Sequence, residues 1–153
     1  MKLKCYLCGS IAGGRDFVSG INAIARAVEK NGHRVMTKAT TVNTAKKYTN
    51  SSTLKTRRGI VKRDKRWIRE SDYVVSEVSQ YSHGVGYEHA YAESQDKPIL
   101  MLRHKSLEGQ RYSAFLDGTD HKKFMFSFYD ENTIESILIK FFKKYVKNIK
   151  YKI

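Results

Sequence analysis

Apolar positions along the chain alternate between short unbroken runs and longer stretches with helical spacing. Residues 3–8 are an apolar run that predicts a buried strand. The turn Gly9-Ser10-Ile11-Ala12-Gly13-Gly14 follows, and then Phe17, Ile21, Ile24, Ala25 and Val28 recur with a helical period until Asn31-Gly32 stops it. A short second strand is expected over 34–37. Residues 57–71 read as a helix with Ile60, Val61, Asp64, Trp67 and Ile68 on much of one face. The run 72–78 predicts a third strand, 79–84 a loop and 85–95 a helix. Asp96-Lys97-Pro98 turns the chain into a fourth strand, 99–102. A loop over 103–110, a short helix over 111–116 and a fifth strand over 123–128 follow. The closing helix, 131–147, carries Ile134, Ile137, Leu138, Phe141, Phe142 and Tyr145 on its apolar side.

Strands alternating with helices imply a parallel sheet covered on both faces. The expected fold is a single α/β domain over all 153 residues. It is a flavodoxin-like (Rossmann-like) five-stranded parallel sheet in the order 2-1-3-4-5. Ligands bind such sheets beyond the carboxyl ends of the strands, where the order reverses. That rule selects the loops after strands one and three, residues 9–15 and 79–86, which are the most glycine-rich turns in the chain. Residues 38–56 are polar, without a clear period, and are expected to form a mobile basic loop.

With 41% hydrophobic residues and a single Pro, the composition is that of a globular protein. The apolar runs are too short to span a bilayer, and the amino terminus lacks a secretory pattern. The expectation is a cytoplasmic protein, or a nuclear one in a eukaryote. Cys5 and Cys8 lie three apart within one strand and point to opposite faces, which favours packing over redox or metal chemistry. The net charge of +14 favours anionic ligands. Lys38, Lys46, Lys47, Lys55, Arg57, Arg58, Lys62, Arg63, Lys65, Arg66 and Arg69 crowd the segment 38–69, and a second basic group runs from Lys140 to Lys152. These are solvated faces, a rim around an anionic ligand, or a contact for nucleic acid.

Within the loop 9–15, the glycines let backbone N–H groups approach an anion, although neither a Walker loop nor a dinucleotide fingerprint is present. The second loop, Ser82-His83-Gly84-Val85-Gly86-Tyr87-Glu88, gathers a serine and two glycines at a helix start, which suits a phosphate. Glu88 is expected within the first turn of that helix, where it either complements the helix dipole or faces the ligand. Asp64 is the lone acid among Lys62, Arg63, Lys65 and Arg66; those cations lower its pKa, whereas burial raises it. The histidines have no metal-ligand spacing, so no metal site is expected. Ser10 and Ser113 lack the context of a hydrolase serine, while Ser113 suits a phosphate contact at a helix start.

Taken in order, the segments Y-L-C-G-S-I-A-G-G-R (6–15), D-K-R-W-I (64–68), S-D-Y-V-V-S-E-V-S-Q-Y-S-H-G-V-G-Y-E (71–88), K-P-I-L (97–100) and R-Y-S-A (111–114) resemble the 2′-deoxynucleoside 5′-phosphate N-hydrolases. These belong to the nucleoside 2-deoxyribosyltransferase-like superfamily. The resemblance implies hydrolysis of the N-glycosidic bond of a deoxynucleoside 5′-monophosphate to free base and 2-deoxyribose 5-phosphate, with no cofactor. By position, Glu88 matches the nucleophile that forms a covalent sugar–enzyme intermediate, Asp64 the acid for the departing base, and Tyr6 the aromatic that orients the nucleophile. Gly9, Ser10, Ile11, Gly13, Gly14 and Arg15 match the pocket lining. Ser82, Gly84 and Gly86 match the phosphate turn. Ser113 matches a serine that reaches the neighbouring subunit's phosphate, which implies a homodimer. The chain departs from the family at Ala12, where an arginine is common, and at His83, where an apolar residue is common. These departures bear on base preference and on deoxy-versus-ribo preference. The alternatives are a nucleoside 2-deoxyribosyltransferase, a ribonucleoside monophosphate N-hydrolase such as one acting on a cytidine monophosphate, a nucleic-acid-binding module, which the lack of interleaved aromatics disfavours, and a silent nucleotide sensor.

Overall fold

The computed structural model describes residues 2–10, 14–37 and 54–146. The elements are β1 (Lys4–Cys8), α1 (Val18–Lys30), β2 (Arg34–Val35), α2 (Leu54–Glu70), β3 (Tyr73–Glu77), α3 (His83–Ser94), β4 (Ile99–His104), a 3-10 turn (Lys105–Leu107), α4 (Ala114–Asp117), β5 (Phe124–Tyr129) and α5 (Ile134–Phe141). A π-helical turn, Phe142–Val146, closes the described chain. The five strands form one parallel sheet in the order β2-β1-β3-β4-β5, as the alternating pattern predicts.

Side chains alternate across the sheet, so each strand feeds two cores. Cys5, Leu7, Tyr73, Val75, Leu100 and Leu102 meet Ile21, Ile24 and Val28 of α1 and Ile137, Leu138 and Phe141 of α5. Tyr6, Cys8, Val74, Ile99 and Met101 meet Ile68 of α2 and Val85 and Ala92 of α3. Helices therefore cover both faces. The two cysteines fall in opposite cores, both buried as free thiols, in line with the packing reading. Central β3 is buried at every position because β1 and β4 flank it and helices cover it above and below.

Several boundaries differ from the periodic reading. The second strand keeps ladder pairing only over Arg34–Val35. Beyond it the Thr37 hydroxyl donates to the Leu7 carbonyl at 2.6 Å, so a side chain continues what the backbone began. Helix α2 starts at Leu54, which takes residues 54–56 out of the expected loop; residues 38–53 lie outside the described residues, as do Ile11, Ala12, Gly13 and the basic residues beyond 146. Helix α3 starts two residues earlier than expected, at His83, because Ser82 caps it. Strand β4 runs on through His104, where pairing with β5 holds Arg103 and His104 in the ladder. Asp130 and Thr133 form a side-chain-bonded turn, so α5 begins only at Ile134.

Candidate active site

Helix α3 begins where β3 ends, at the point where strand order reverses. Ser82 is extended and its hydroxyl accepts a hydrogen bond from the Val85 N–H at 3.4 Å, which starts the helix. Helix geometry leaves the N–H groups of His83 and Gly84 without intrahelical acceptors, open to an anion. Gly84, Tyr87, Glu88 and Tyr91 share one face of α3 at helical spacing, and Ile60, Val61, Asp64, Lys65 and Ile68 share the facing side of α2. Together they line a cavity of about 170 Å³. Glu88 and Asp64, far apart in sequence, thus open into the same space.

Glu88 is the sixth residue of α3, in its second turn rather than its first. A helix N-terminus stabilises acids mainly within the first turn, so its dipole does not account for this glutamate. Its Oε1 instead accepts a hydrogen bond at 3.0 Å from the hydroxyl of Tyr6, which β1 presents from the core at 2% exposure. Burial pushes the Glu88 carboxyl up to about 7. The Tyr6 bond opposes that rise, the Asp64 charge adds to it, and the Cys8 thiol and Arg63 pull the other way. The Tyr6 phenol is itself held well above its usual range, by burial first and then by the Glu88 charge, so it remains a donor.

The Asp64 carboxyl also lies above its ordinary value: burial raises it, and the hydrogen bond and charge of Arg63 offset only part of the rise. Arg63 donates to Oδ1 from Nε at 2.8 Å, its Nη2 lies 2.8 Å from the same oxygen as an ion pair, and its guanidinium lies 4.8 Å over the Trp67 ring. Among the cations that crowd Asp64 in sequence, Arg57, Arg58, Lys62, Arg66 and Arg69 are exposed on α2. Desolvation wins because those charges are spread in water while the carboxyl is only 16% exposed.

The other expected residues divide into groups. Ser82, Gly86 and Ser113 line a second cavity, of about 440 Å³, on the other side of α3, with His89, Tyr112 and Phe115. Gly84 belongs to the smaller cavity, so the 82–86 turn borders both. Gly9, Ser10, Gly14 and Arg15 follow β1 at the carboxyl edge of the sheet and are not among the residues lining either cavity. Gly14 has φ +134°, a conformation that favours glycine, and a side chain there would strike Gln80, so the two loops touch. Ser10 is buried with no hydrogen-bond partner for its hydroxyl among the described residues. Ile11 and Gly13 lie outside the described residues.

Three features went unread in the sequence. Glu77, at the end of β3, is fully buried; it accepts from the Ser79 N–H at 3.2 Å, the Ser79 hydroxyl and the Tyr129 hydroxyl at 3.0 Å, and burial pushes its carboxyl up to about 7. Arg103 is buried at the end of β4, bonds the carbonyls of Gln110 and Arg111 at 3.1 and 3.2 Å, and stacks 4.5 Å from the Tyr112 ring, fixing the segment that leads to Ser113. Lys65 sits over two tyrosine rings of the smaller cavity. The spacing of residues 60, 61, 64, 65 and 68 held a signal for Lys65; nothing local distinguished Glu77 or Arg103.

Among the described residues, no group of three or more His, Cys, Asp or Glu side chains is placed to hold a metal ion, and no helix is long and apolar enough to cross a membrane. Fold and site together define a doubly wound α/β protein with two carboxyl groups converging beside a helix start, an arrangement suited to breaking a glycosidic bond. The chain belongs to the nucleoside 2-deoxyribosyltransferase family, whose model matches residues 5–125. It is 36% identical over 149 residues to a 5-hydroxymethyl-dUMP N-hydrolase of Tetraodon nigroviridis, covering 92% of this chain and 97% of that one. It is also 37% identical over 106 residues to a protein of Syntrophotalea carbinolica described as a putative 2'-deoxynucleoside 5'-phosphate N-hydrolase, covering 69% and 72%. Its fold matches that of a CMP N-glycosidase of Clostridium botulinum with a TM-score of 0.61 at 17% identity, over 89% and 98% of the two chains.

Proposed function

We propose that the protein hydrolyses the N-glycosidic bond of a 2′-deoxynucleoside 5′-monophosphate, releasing free base and 2-deoxyribose 5-phosphate. The observation that carries this reading is the single small cavity shared by Glu88 and Asp64, with Tyr6 bonded to Glu88. The bond to C1′ breaks with positive charge developing on the sugar. Ionised Glu88 stabilises that charge and then bonds C1′, giving a covalent intermediate. Asp64, whose carboxyl burial raises above its ordinary value, delivers a proton to the departing base; the resulting carboxylate then takes a proton from the water that attacks C1′ and frees Glu88. These steps use only side chains and water, so the proposal includes no cofactor.

The phosphate is assigned to the start of α3, where Gly84 lines the smaller cavity and Ser82 and Gly86, in the same turn, line the larger one. At about 170 Å³ that cavity is below the roughly 300–1,000 Å³ of sites that enclose a whole drug-sized ligand. It suits the base and sugar, with the phosphate outside. Gly9, Ser10, Gly14 and Arg15 are assigned to the remaining edge of the pocket. We include a homodimer in which Ser113 reaches the neighbour's phosphate; Phe115, two residues away and 94% exposed, supports a surface that another copy covers. A cytoplasmic location is proposed from the two free, buried thiols.

The experiment is a product assay across the common deoxy- and ribonucleoside monophosphates, with the matching nucleosides and a free acceptor base as controls, on the native protein and Glu88→Ala. Free base with deoxyribose 5-phosphate, absent in the variant, is the expected result. Undiminished turnover by Glu88→Ala would reject the nucleophile. Formation of a new nucleotide in preference to the free sugar phosphate would make the protein a transferase.

A further inference from the structure

We propose that Lys65 is a substrate-contacting residue that selects bases carrying a ring carbonyl and stabilises the negative charge such a base develops as it leaves. This inference rests on the reading proposed above. Lys65 lines the cavity that holds Glu88 and Asp64. Its ammonium lies 5.1 Å from the centre of the Tyr87 ring and 4.8 Å from that of the Tyr91 ring. Two aromatic faces hold the cation at the cavity without neutralising it, and among the described residues no carboxylate pairs with it. Asp64, its neighbour in sequence, is bonded to Arg63 instead.

Position along α3 assigns the ammonium to the base. The helix start at Ser82–Gly86 takes the phosphate, Glu88 takes C1′, and Tyr91 lies about one turn further on, away from the phosphate. The nearer of the two rings, Tyr91 at 4.8 Å, lies on the base side of the nucleophile, and the ammonium is assigned there with it. When the bond between C1′ and the base nitrogen breaks, its electron pair moves onto the base. In a uracil-type ring that charge spreads to the carbonyl oxygens, where an ammonium donates a charge-assisted hydrogen bond that strengthens as charge accumulates. Asp64 supplies the proton and Glu88 accepts C1′, so the step balances with no further reactant. Adenine presents no carbonyl oxygen on which the leaving charge collects, and a site arranged to hydrogen-bond a substrate group discriminates against an analogue that lacks it.

The test compares the native protein, Lys65→Met and Lys65→Arg. With dUMP and its 5-fluoro and 5-methyl analogues as substrates, Lys65→Met is expected to lose about 10- to 100-fold in kcat/KM. The loss is larger for the 5-methyl than for the 5-fluoro base, because the more acidic leaving group needs less help. Lys65→Arg recovers most of the rate. In parallel, calorimetric titration of Glu88→Gln with and without Lys65→Met, using dUMP and dAMP, reads recognition without turnover: the added substitution weakens dUMP binding and leaves dAMP binding unchanged. Equal losses for both bases, no loss for either, or rate losses independent of leaving-group acidity would overturn the proposal. Loss of dUMP selectivity in the titration, combined with no turnover by the native protein, would instead reject the hydrolytic reading while retaining Lys65 as the residue that reads the base.

Discussion

Replacing Tyr6 by Phe tests whether β1 sets the charge state of the nucleophile. The substitution keeps the ring in its buried slot and removes only the hydroxyl that donates to Glu88 Oε1 at 3.0 Å. A hydrogen bond to a charged acceptor contributes about 1.5–3 kcal/mol, and one pKa unit corresponds to about 1.4 kcal/mol. The Glu88 carboxyl, already pushed up to about 7 by burial in spite of that bond, should rise by a further 1–2 units or so without it. The nucleophile must be ionised, so activity rises with pH through this value. The acid limb of kcat/KM should therefore move from near 7 to roughly 8–9, and the rate at pH 7 should fall on the order of 5- to 50-fold. Part of that rate returns at higher pH; because Glu88 and Asp64 share one cavity, the profile reports the coupled pair. The assay is the pH profile of base release for both proteins. A uniform loss with an unmoved acid limb would refute the reasoning, because it would mean that Tyr6 shapes the pocket without tuning Glu88.

Asp64→Asn removes the transferable proton and should lower kcat by about 10²–10⁴-fold for ordinary bases, with a smaller loss for a more acidic leaving base; equal losses across a leaving-group series would argue against its role as acid. Glu77 has a folded pKa of about 7 against an ordinary 4.5, so its stabilising contribution is complete below pH 4.5 and is lost as pH rises through 7. Urea unfolding at pH 5 and pH 8 should therefore show the stability gap between Glu77→Gln and the native protein shifting in the variant's favour by about 2–3 kcal/mol, and a constant gap would contradict the burial argument. Gly20→Ala gains about 1 kcal/mol of helix propensity, yet its Cβ would overlap the Tyr129 hydroxyl that holds Glu77. Net destabilisation of about 1–2 kcal/mol is expected, and a rise in the urea midpoint would show that Tyr129 moves aside freely.

Much of the architecture was legible because it depends on local periodicity. The alternation of Leu3–Cys8, Tyr73–Val75 and Ile99–Leu102 with the helical spacing of Ile21, Ile24 and Val28 suffices for a parallel sheet in the observed order. Boundaries proved less legible where side chains replaced backbone pairing, as at Thr37, or where a cap moved a helix start, as at Ser82. At the site, Glu88 was legible as a candidate, but the first-turn position expected of it was wrong by one turn. Glu77 looked like an ordinary strand residue and Arg103 like the first residue of a loop, since nothing near them in sequence shows that a buried charge at that spot gathers partners from other strands and loops.

By itself the sequence determined the order of elements, the two glycine-rich turns at the carboxyl edge of the sheet and the residue types available for chemistry, because these follow from spacing and composition. Only the tertiary structure decided that Asp64 and Glu88 open into one cavity, that Ser82, Gly86 and Ser113 border another, and that burial outweighs Arg63 at Asp64. The reason is physical: desolvation and shared space are set by which distant surfaces close over a side chain, and no neighbour in the chain reports that.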